Sequence, residues 1–203
     1  MRTLEKTIGL LVLLTLMLFS GPAMALETSP QENVKTLLAI ISKIKTGDSV
    51  SPEQKEGNRK NCDQAIVFLD LKDVSRQTLG KYWKDRTPKE QEDFVLLLSD
   101  LFKKIAFPNS AKFFADLKTV YGETKINKDQ AVVPVKVLHK SEGEISIDFK
   151  LQLGEGKWRI YDVILDDVSM RNNLKSQFHK ILEKEEYKGL VNRMKEKIQN
   201  GEG

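Results

Sequence analysis

The stretch EISIDFKLQL, residues 144–153, alternates polar and apolar side chains along its whole length. Successive side chains of a β-strand point to opposite faces of the sheet, so the pattern predicts a strand with one buried and one wet face. The buried face takes Ile145, Ile147, Phe149, Leu151 and Leu153. Strands of this kind belong to antiparallel sheets that pack on one side.

The same two-residue period predicts three further strands, over residues 119–126, 131–139 and 157–164. Short links rich in turn residues predict hairpins between neighbouring strands. These links are Asn127-Lys128-Asp129, Ser141-Glu142-Gly143 and Gly154-Glu155-Gly156. Pro134 has no N–H to donate, so its strand is expected to lie at an edge there or to contain a bulge.

Three helix starts precede the sheet: Ser29-Pro30-Gln31-Glu32, Ser51-Pro52-Glu53-Gln54 and Thr87-Pro88-Lys89-Glu90. Each has a hydroxyl at the N-cap, Pro at the first helical position, and Glu or Gln where its side chain reaches back to the cap. The predicted helices run over residues 30–47, 52–69, 70–80 and 88–107. Pro108 is expected to end the last of them, and Ser110 to cap a further short helix.

The helix after Thr87 is apolar over more than one narrow stripe, which predicts contacts on two sides or the wall of a cavity. We expect it to face the buried side of the sheet. After residue 169 the helical period returns in two apolar stripes, over residues 174–182 and 187–198. The order predicts one α+β domain over residues 26–203, with helices at about 30–117, the sheet at about 119–164 and helices at about 169–199.

The first 25 residues predict a cleaved secretory signal. Arg2 and Lys6 precede the apolar run from Ile8 to Phe19, and Ala23-Met24-Ala25 is a small-residue cleavage site. The run is too short to cross a hydrocarbon core of roughly 30 Å. The mature chain is expected to begin near Leu26, and an uncleaved anchor is the alternative.

Composition excludes several classes of protein. A chain of 203 residues with 40% hydrophobic residues, 31% charged residues and a formal net charge of +4 is neither disordered nor a multi-span membrane protein. No basic stripe with interleaved aromatic residues appears, so no nucleic-acid partner is expected. The lone Cys62 has no partner for an intramolecular disulfide and is expected to be a small buried residue.

The sequence holds no familiar catalytic or metal-binding motif. His139 and His179 have no acidic or thiol neighbour at metal-ligand spacing, so no metal or cofactor is expected. The Asp166-Asp167 pair is expected to supply caps and solvated charges. Asp162 and Tyr161 are the candidates for acid–base chemistry inside a cavity.

Two groups of motifs run through nearly the whole predicted mature chain. The first is Leu79-Gly80-Lys81-Tyr82-Trp83, followed by the segment from Thr87 to Phe94. The second runs from Trp158 to Val163 and is followed by Val168-Ser169-Met170. Together they resemble the MlaC family, the toluene-tolerance and hopanoid-associated periplasmic lipid carriers. The chain departs from the family pattern at Asp166-Asp167, Leu174 and Phe107, and these departures affect the pocket mouth and the C-terminal helix.

The resemblance implies a highly twisted four-stranded antiparallel sheet, cystatin-like or nuclear transport factor-like, with N- and C-terminal helices enclosing an apolar pocket. It implies a monomeric periplasmic carrier, not an enzyme, that binds the acyl chains of a glycerophospholipid without metal or cofactor. Its partners would be the substrate-binding subunit of an inner-membrane ABC transporter and an outer-membrane lipoprotein complex, in the maintenance of outer-membrane lipid asymmetry. Wetting acyl chains costs roughly 0.8 kcal/mol per methylene, so such a carrier needs an enclosed cavity.

The residues expected to bind lipid come from the broad helix, the inward strand faces and the exit of the last strand. They are Phe94, Leu97, Leu98, Leu101, Phe102, Ile105, Val133, Val135, Val137, Ile147, Phe149, Leu151, Ile160, Val168 and Met170. Trp83 and Trp158 are expected to have structural roles. Three alternatives stay open: a packed core in place of a pocket, an isomerase- or hydratase-type enzyme on a similar fold, and a ligand-free periplasmic adaptor.

Overall fold

The computed structural model describes residues 28–47, 49–115, 117–139 and 143–201, so the predicted signal peptide lies outside the described residues. Five helices come first: α1 (Pro30–Ile41), α2 (Pro52–Ala65), α3 (Leu71–Leu79), α4 (Pro88–Leu101) and α5 (Phe107–Phe114). Six strands follow: β1 (Lys118–Tyr121), β2 (Lys125–Asn127), β3 (Gln130–His139), β4 (Gly143–Gly154), β5 (Lys157–Leu165) and β6 (Val168–Ser169). Helix α6 (Met170–Asn200) comes last, and the predicted α+β class is confirmed. Within the described ranges, no helix combines the length and apolarity needed to cross a membrane.

The three predicted helix starts are confirmed. Ser29, Ser51 and Thr87 cap α1, α2 and α4, and each side-chain oxygen accepts a hydrogen bond from the backbone N–H three residues on. Asp70 caps α3 in the same way, and Gly80, with a φ of 57°, ends it. Local sequence therefore sets where these helices begin, as the capping rules predict.

The long helix α4 does not stop at Pro108, so the predicted break there is wrong. One π-helical turn, Phe102–Ala106, carries α4 directly into α5. In this turn the Phe107 N–H donates to the Phe102 carbonyl, five residues back. Pro108 then lies in the first turn of α5, where a missing N–H is tolerated. Ser110 lies inside α5 and does not cap it.

The sheet is antiparallel, with the strand order β1-β3-β4-β5-β6 and with β2 also paired to β3. It has six strands where four were predicted, because the first predicted strand is divided into β1 and β2 and residues 168–169 add β6. The alternation predicted for residues 144–153 is confirmed in β4. The side chains of Ile145, Ile147, Phe149 and Leu151 are buried, and those between them are not.

Pro134 accounts for the division of the first predicted strand. Its carbonyl oxygen accepts a hydrogen bond from Gly122 at 2.8 Å. The nitrogen and carbonyl of one strand residue point the same way, so the proline nitrogen faces the gap between β1 and β2. A Cβ on Gly122 would lie 3.2 Å from the Pro134 Cβ, and glycine lets the chain pass this close. β3 is an inner strand of the sheet, so the predicted edge at Pro134 exists only locally, in the gap between β1 and β2.

Two apolar cores divide the described chain. The sheet core lies between the inner face of the sheet and helices α1, α2 and α5, and it includes Trp158 and Cys62. The helical core lies among α3, α4 and α6, and Phe94 and Leu98 are buried in it. The prediction that the whole broad helix faces the sheet is therefore wrong for these two residues, and also for Leu97 and Leu101, which pack against the same helical core. The apolar stripe of α1 covers the strands in its place.

Helix α6 is broken at Glu186 into two arms, residues 170–185 and 187–200. Glu186 has a φ of 58° and a ψ of −171°, which residues other than glycine rarely adopt. The two arms turn back on each other. The evidence is a hydrogen bond from the Arg193 Nε to the Glu185 carboxylate, at 2.8 Å. Residues eight apart in a straight helix would be about 12 Å apart along the axis. Gly189 permits the turn, since a Cβ there would collide with that of Glu185.

Candidate functional site

A cleft of about 230 Å³ lies between the end of α4 with its π turn and both arms of α6. Its floor consists of Leu101, Phe102, Ile105, Ala106, Leu174, Phe178, Ile181, Leu190 and Met194. The described polar residues that line it are Gln177, Arg193 and Lys197, and all three are exposed. None of its described lining residues is acidic. We call this site the basic-rimmed cleft.

Helical spacing places these side chains. In the first arm, Leu174, Phe178 and Ile181 follow one another at four and three residues, and so share a face. In the second arm, Leu190 and Met194 form a four-residue pair, and Arg193 and Lys197 form another beside it. Because the arms double back at Glu186, both faces meet over the π turn. The cleft therefore exists because helix α6 reverses direction at Glu186.

A second cleft, of about 390 Å³, lies on the other side of the second arm, between residues 187–195 and α4. Its described charged residues are Glu90, Asp93, Asp100 and Lys195, so three of the four are acidic. Its apolar wall includes Phe94, Leu97 and Val191, together with Leu96, which is 60% exposed. We call it the acidic-rimmed cleft.

Tyr187 fixes the beginning of the second arm against α4. Its hydroxyl donates to the backbone carbonyl of Glu90 at 3.1 Å, and the Arg86 guanidinium lies 4.7 Å from the ring centroid. Burial raises the pKa of Tyr187, so the hydroxyl keeps its proton and remains a donor. The Arg193–Glu185 pair makes the second attachment, and the hydrogen bonds from Arg193 lower the pKa of Glu185.

The fifteen residues expected to bind lipid fall into three groups. Leu101, Phe102 and Ile105 line the basic-rimmed cleft, and Phe94 and Leu97 line the acidic-rimmed one. The strand residues Val133, Val135, Val137, Ile147, Phe149, Leu151 and Ile160 are buried in the sheet core, on the predicted face, and are among the lining residues of neither cleft. Leu98 is enclosed in the helical core, Val168 is 52% exposed, and Met170 begins α6.

Phe102 joins the two cores. It lies in the π turn, lines the basic-rimmed cleft, and packs against both the sheet core and the helical core. π-Helical turns inside α-helices are frequent at functional sites, since they redirect side chains that a regular helix would align. Phe102 is therefore a residue of the cleft lining that also reaches the core containing the strand residues expected to bind lipid.

The contribution of α6 to the cleft was not predicted from the sequence. Phe178, Ile181 and Leu190 have the three- and four-residue spacing that was recognised as helical, but their partner surface was not identified. The site could have been predicted by packing these apolar residues of α6 against the second apolar face of α4. The reversal at Glu186 has no comparable signal, although Gly189 lies three residues beyond it.

Asp162, the candidate acid–base residue, is engaged in holding β5 to α6. Its buried carboxylate accepts hydrogen bonds from the Ser169 hydroxyl at 2.8 Å and from the Arg171 backbone N–H at 3.1 Å. The Arg171 guanidinium lies 3.9 Å from it and 5.3 Å from the Tyr161 ring centroid. Neither Asp162 nor Tyr161 is among the described residues that line the two clefts.

The other polar residues singled out in the sequence have structural partners. The Nε2 atom of His179 lies 3.2 Å from the carbonyl oxygen of Leu79, at the end of α3. Asp166 and Asp167, with φ of 42° and 65°, form the turn between β5 and β6. The side chain of His139 lies outside what is described. No group of three or more His, Cys, Asp or Glu residues in the described ranges is arranged to hold a metal ion.

Known proteins share parts of this fold and sequence. The chain is similar to a solved phospholipid-binding protein from Ralstonia solanacearum in complex with a phospholipid, at a TM-score of 0.68 and 20% identity; the match covers 87% of this chain and all of that one. It is also 27% identical over 158 residues to tabersonine 16-hydroxylase 1 from Catharanthus roseus. That match covers 74% of this chain but spans 30% of the hydroxylase, so the likeness is confined to a part of the plant protein.

The family comparison covers most of the chain. The family model described as MlaC protein matches residues 33–196, a range that runs from the first turn of α1 into the second arm of α6. It includes both cores, the whole sheet and nearly all of both clefts. This chain belongs to the MlaC family.

Proposed function

We propose that this chain is a periplasmic carrier that binds the acyl chains of a glycerophospholipid and shuttles it between membrane complexes. Its partners would be an outer-membrane lipoprotein complex and the substrate-binding subunit of an inner-membrane ABC transporter. Membership of the MlaC family supports this proposal. So does the fold shared with a protein whose structure holds a phospholipid.

The observation that carries the proposal is the composition of the basic-rimmed cleft. Nine apolar residues form its floor, and exposed polar residues stand at its edge. Such a surface matches an amphiphile, whose tail gains from leaving water while its headgroup stays wet. The seven strand residues expected to bind lipid lie in the packed sheet core, so the cleft rather than the strand face supports the proposal.

A phospholipid needs more room than the described cleft. Pockets for drug-sized ligands span about 300–1,000 Å³, and a two-chain lipid is at least that large. We therefore propose that loading moves the second arm about Glu186 and displaces Phe102, which joins the cleft to the sheet core. The seven strand residues expected to bind lipid would then line the deep end of the pocket.

The energetics of release follow from the same enclosure. Two acyl chains of about 15 methylenes each represent roughly 24 kcal/mol of gross apolar burial. A loaded carrier therefore does not release its lipid into water. A membrane partner must offer the chains a continuous apolar path. Export to the periplasm would follow from the predicted signal peptide over residues 1–25.

The test is to express the full-length chain in a Gram-negative host, purify it from the periplasm without detergent, and record native mass spectra. We expect a monomer with one bound glycerophospholipid, identified by lipid analysis of the denatured sample. Ile181→Asn, in the cleft floor, should lower the occupancy. The matched control is Leu96→Asn, at an exposed leucine of the other cleft, which should leave it unchanged. A protein that stays lipid-free after incubation with phospholipid vesicles contradicts the proposal.

A further inference from the structure

The two clefts along the second arm of α6 differ in charge, and this difference bears on the ligand. The basic-rimmed cleft has Arg193 and Lys197 at its edge, whereas three carboxylates line the acidic-rimmed cleft. Both clefts have apolar walls, so apolarity alone does not distinguish them. Charge decides which of them accepts an anionic headgroup.

We propose that the basic-rimmed cleft selects amphiphiles with a net anionic headgroup, such as phosphatidylglycerol, over zwitterionic ones with the same acyl chains. This inference rests on the proposed function and deepens it. Lys197 and Arg193 are four residues apart on one face of the second arm, beside Leu190 and Met194 of the floor. A tail lying on that floor places its phosphate within reach of both cations.

The two cations have different roles. Lys197 lines the cleft and is exposed, and a lysine binds a phosphate as a compact point charge. Arg193 is held by Glu185, which presents its guanidinium at the rim in a fixed position. A phosphate arriving there competes with Glu185 for the same planar fork of donors. A zwitterionic headgroup brings a compensating cation, and the net attraction to the rim is correspondingly weaker.

The experiment offers the full-length mature protein vesicles of equal parts dioleoyl-phosphatidylglycerol and dioleoyl-phosphatidylcholine, and quantifies captured lipid by mass spectrometry. We expect phosphatidylglycerol to be captured roughly two- to tenfold in excess, the range for one or two exposed charge pairs. The excess should shrink at high salt, because exposed charges are screened. Lys197→Gln should reduce it, and Arg193→Gln should reduce it further.

Lys195→Gln is the matched control. Lys195 lies on the same arm but lines the acidic-rimmed cleft. Its substitution therefore removes one positive charge from the arm without changing the rim of the basic-rimmed cleft. Equal capture of the two lipids, or an equal effect of Lys195→Gln and Lys197→Gln, overturns the inference and leaves the carrier function standing. If glycerophosphoglycerol, the headgroup without its acyl chains, binds the protein saturably, the inference is also overturned, in favour of a site for free phosphate compounds. Capture of neither lipid overturns the proposed function together with it.

Discussion

The rings of Phe102 and Phe107 meet edge to face, with centroids 6.1 Å apart and planes inclined at 61°. Phe107 is buried in the sheet core, and Phe102 lines the basic-rimmed cleft. The π turn brings the two rings together, because Phe107 N–H bonds to the Phe102 carbonyl across it. This aromatic contact links the lining of the cleft to the sheet core.

Phe102→Ala is expected to open a passage from the cleft into the sheet core. The cleft would then extend toward the strand residues, and the carrier should retain lipids with longer acyl chains than the parent protein does. The variant should lose roughly 2 kcal/mol of stability, less than the 3–5 kcal/mol typical of a fully buried Phe, because Phe102 is half-buried. Lipid analysis of the purified protein gives the chain-length profile, and urea denaturation gives the stability.

The control for this prediction is Phe113→Ala. Phe113 also makes an edge-to-face contact, with Phe114 at 5.0 Å, and packs against the sheet core away from both clefts. It should lower stability without changing the chain-length profile. If Phe102→Ala leaves the profile as in the parent protein, Phe102 does not limit the depth of the pocket.

Gly189→Ala should destabilise the reversal in α6. The added methyl would collide with the Cβ of Glu185, and relieving such overpacking costs typically about 1–3 kcal/mol. The second arm should loosen, and lipid occupancy should fall with it. Hydrogen exchange of residues 187–200 and the midpoint of urea denaturation measure the two effects.

Gly57→Ala gives the opposite expectation in an ordinary helix. Gly57 lies in α2, and a Cβ there would meet nothing within 4 Å. Alanine should therefore stabilise the protein by about 0.5–1 kcal/mol, the usual difference in helix propensity. If both glycine variants are stabilising, the close approach at Gly189 is not a constraint on the fold.

Asp162→Asn tests the acid–base alternative. The amide keeps one oxygen for the hydrogen bond from the Arg171 N–H but puts donors where the Ser169 hydroxyl now donates, so a loss of about 1–3 kcal/mol is expected. Lipid occupancy should stay near that of the parent protein, because Asp162 is not among the described residues of either cleft. A folded variant that no longer binds lipid would show that Asp162 acts on the ligand.

Much of the fold could be predicted because its signals are local. The caps at Ser29, Ser51 and Thr87 need no information beyond four neighbouring residues, and the period of residues 144–153 fixes which strand side chains are buried. The effect of Pro134 follows from its missing N–H. In each case the residue that decides the structure and the structure itself lie within a few positions of each other.

The candidate site was harder to predict because it depends on long-range pairing and on backbone irregularities. The sequence shows that α4 has a second apolar face but does not show that α6 rather than the sheet covers it. Pro108 normally ends a helix, and the π turn before it overrides that expectation. Glu186 is an ordinary glutamate, so its left-handed φ is imposed by tertiary contacts and has no local signature.

The N-terminus of α4 should make stability depend on pH. The Glu90 carboxylate accepts hydrogen bonds from the backbone N–H and hydroxyl of Thr87, and these bonds, with Arg86 nearby, lower the pKa of Glu90. A carboxyl whose pKa is lower in the folded protein stabilises the folded state at pH values above its unfolded-state pKa of about 4.3. This contribution disappears as the pH falls through the lower folded-state pKa.

Glu90→Gln keeps an acceptor for the cap, as Gln54 does in α2. Urea midpoints measured from pH 6 to pH 3 should therefore show a difference between parent and variant that shrinks at the acid end. Glu92→Gln, at a carboxylate with no hydrogen-bond partner in the described part of α4, controls for the loss of one charge. A parent–variant difference that is constant over the whole range would show that the capping carboxylate does not contribute to acid sensitivity.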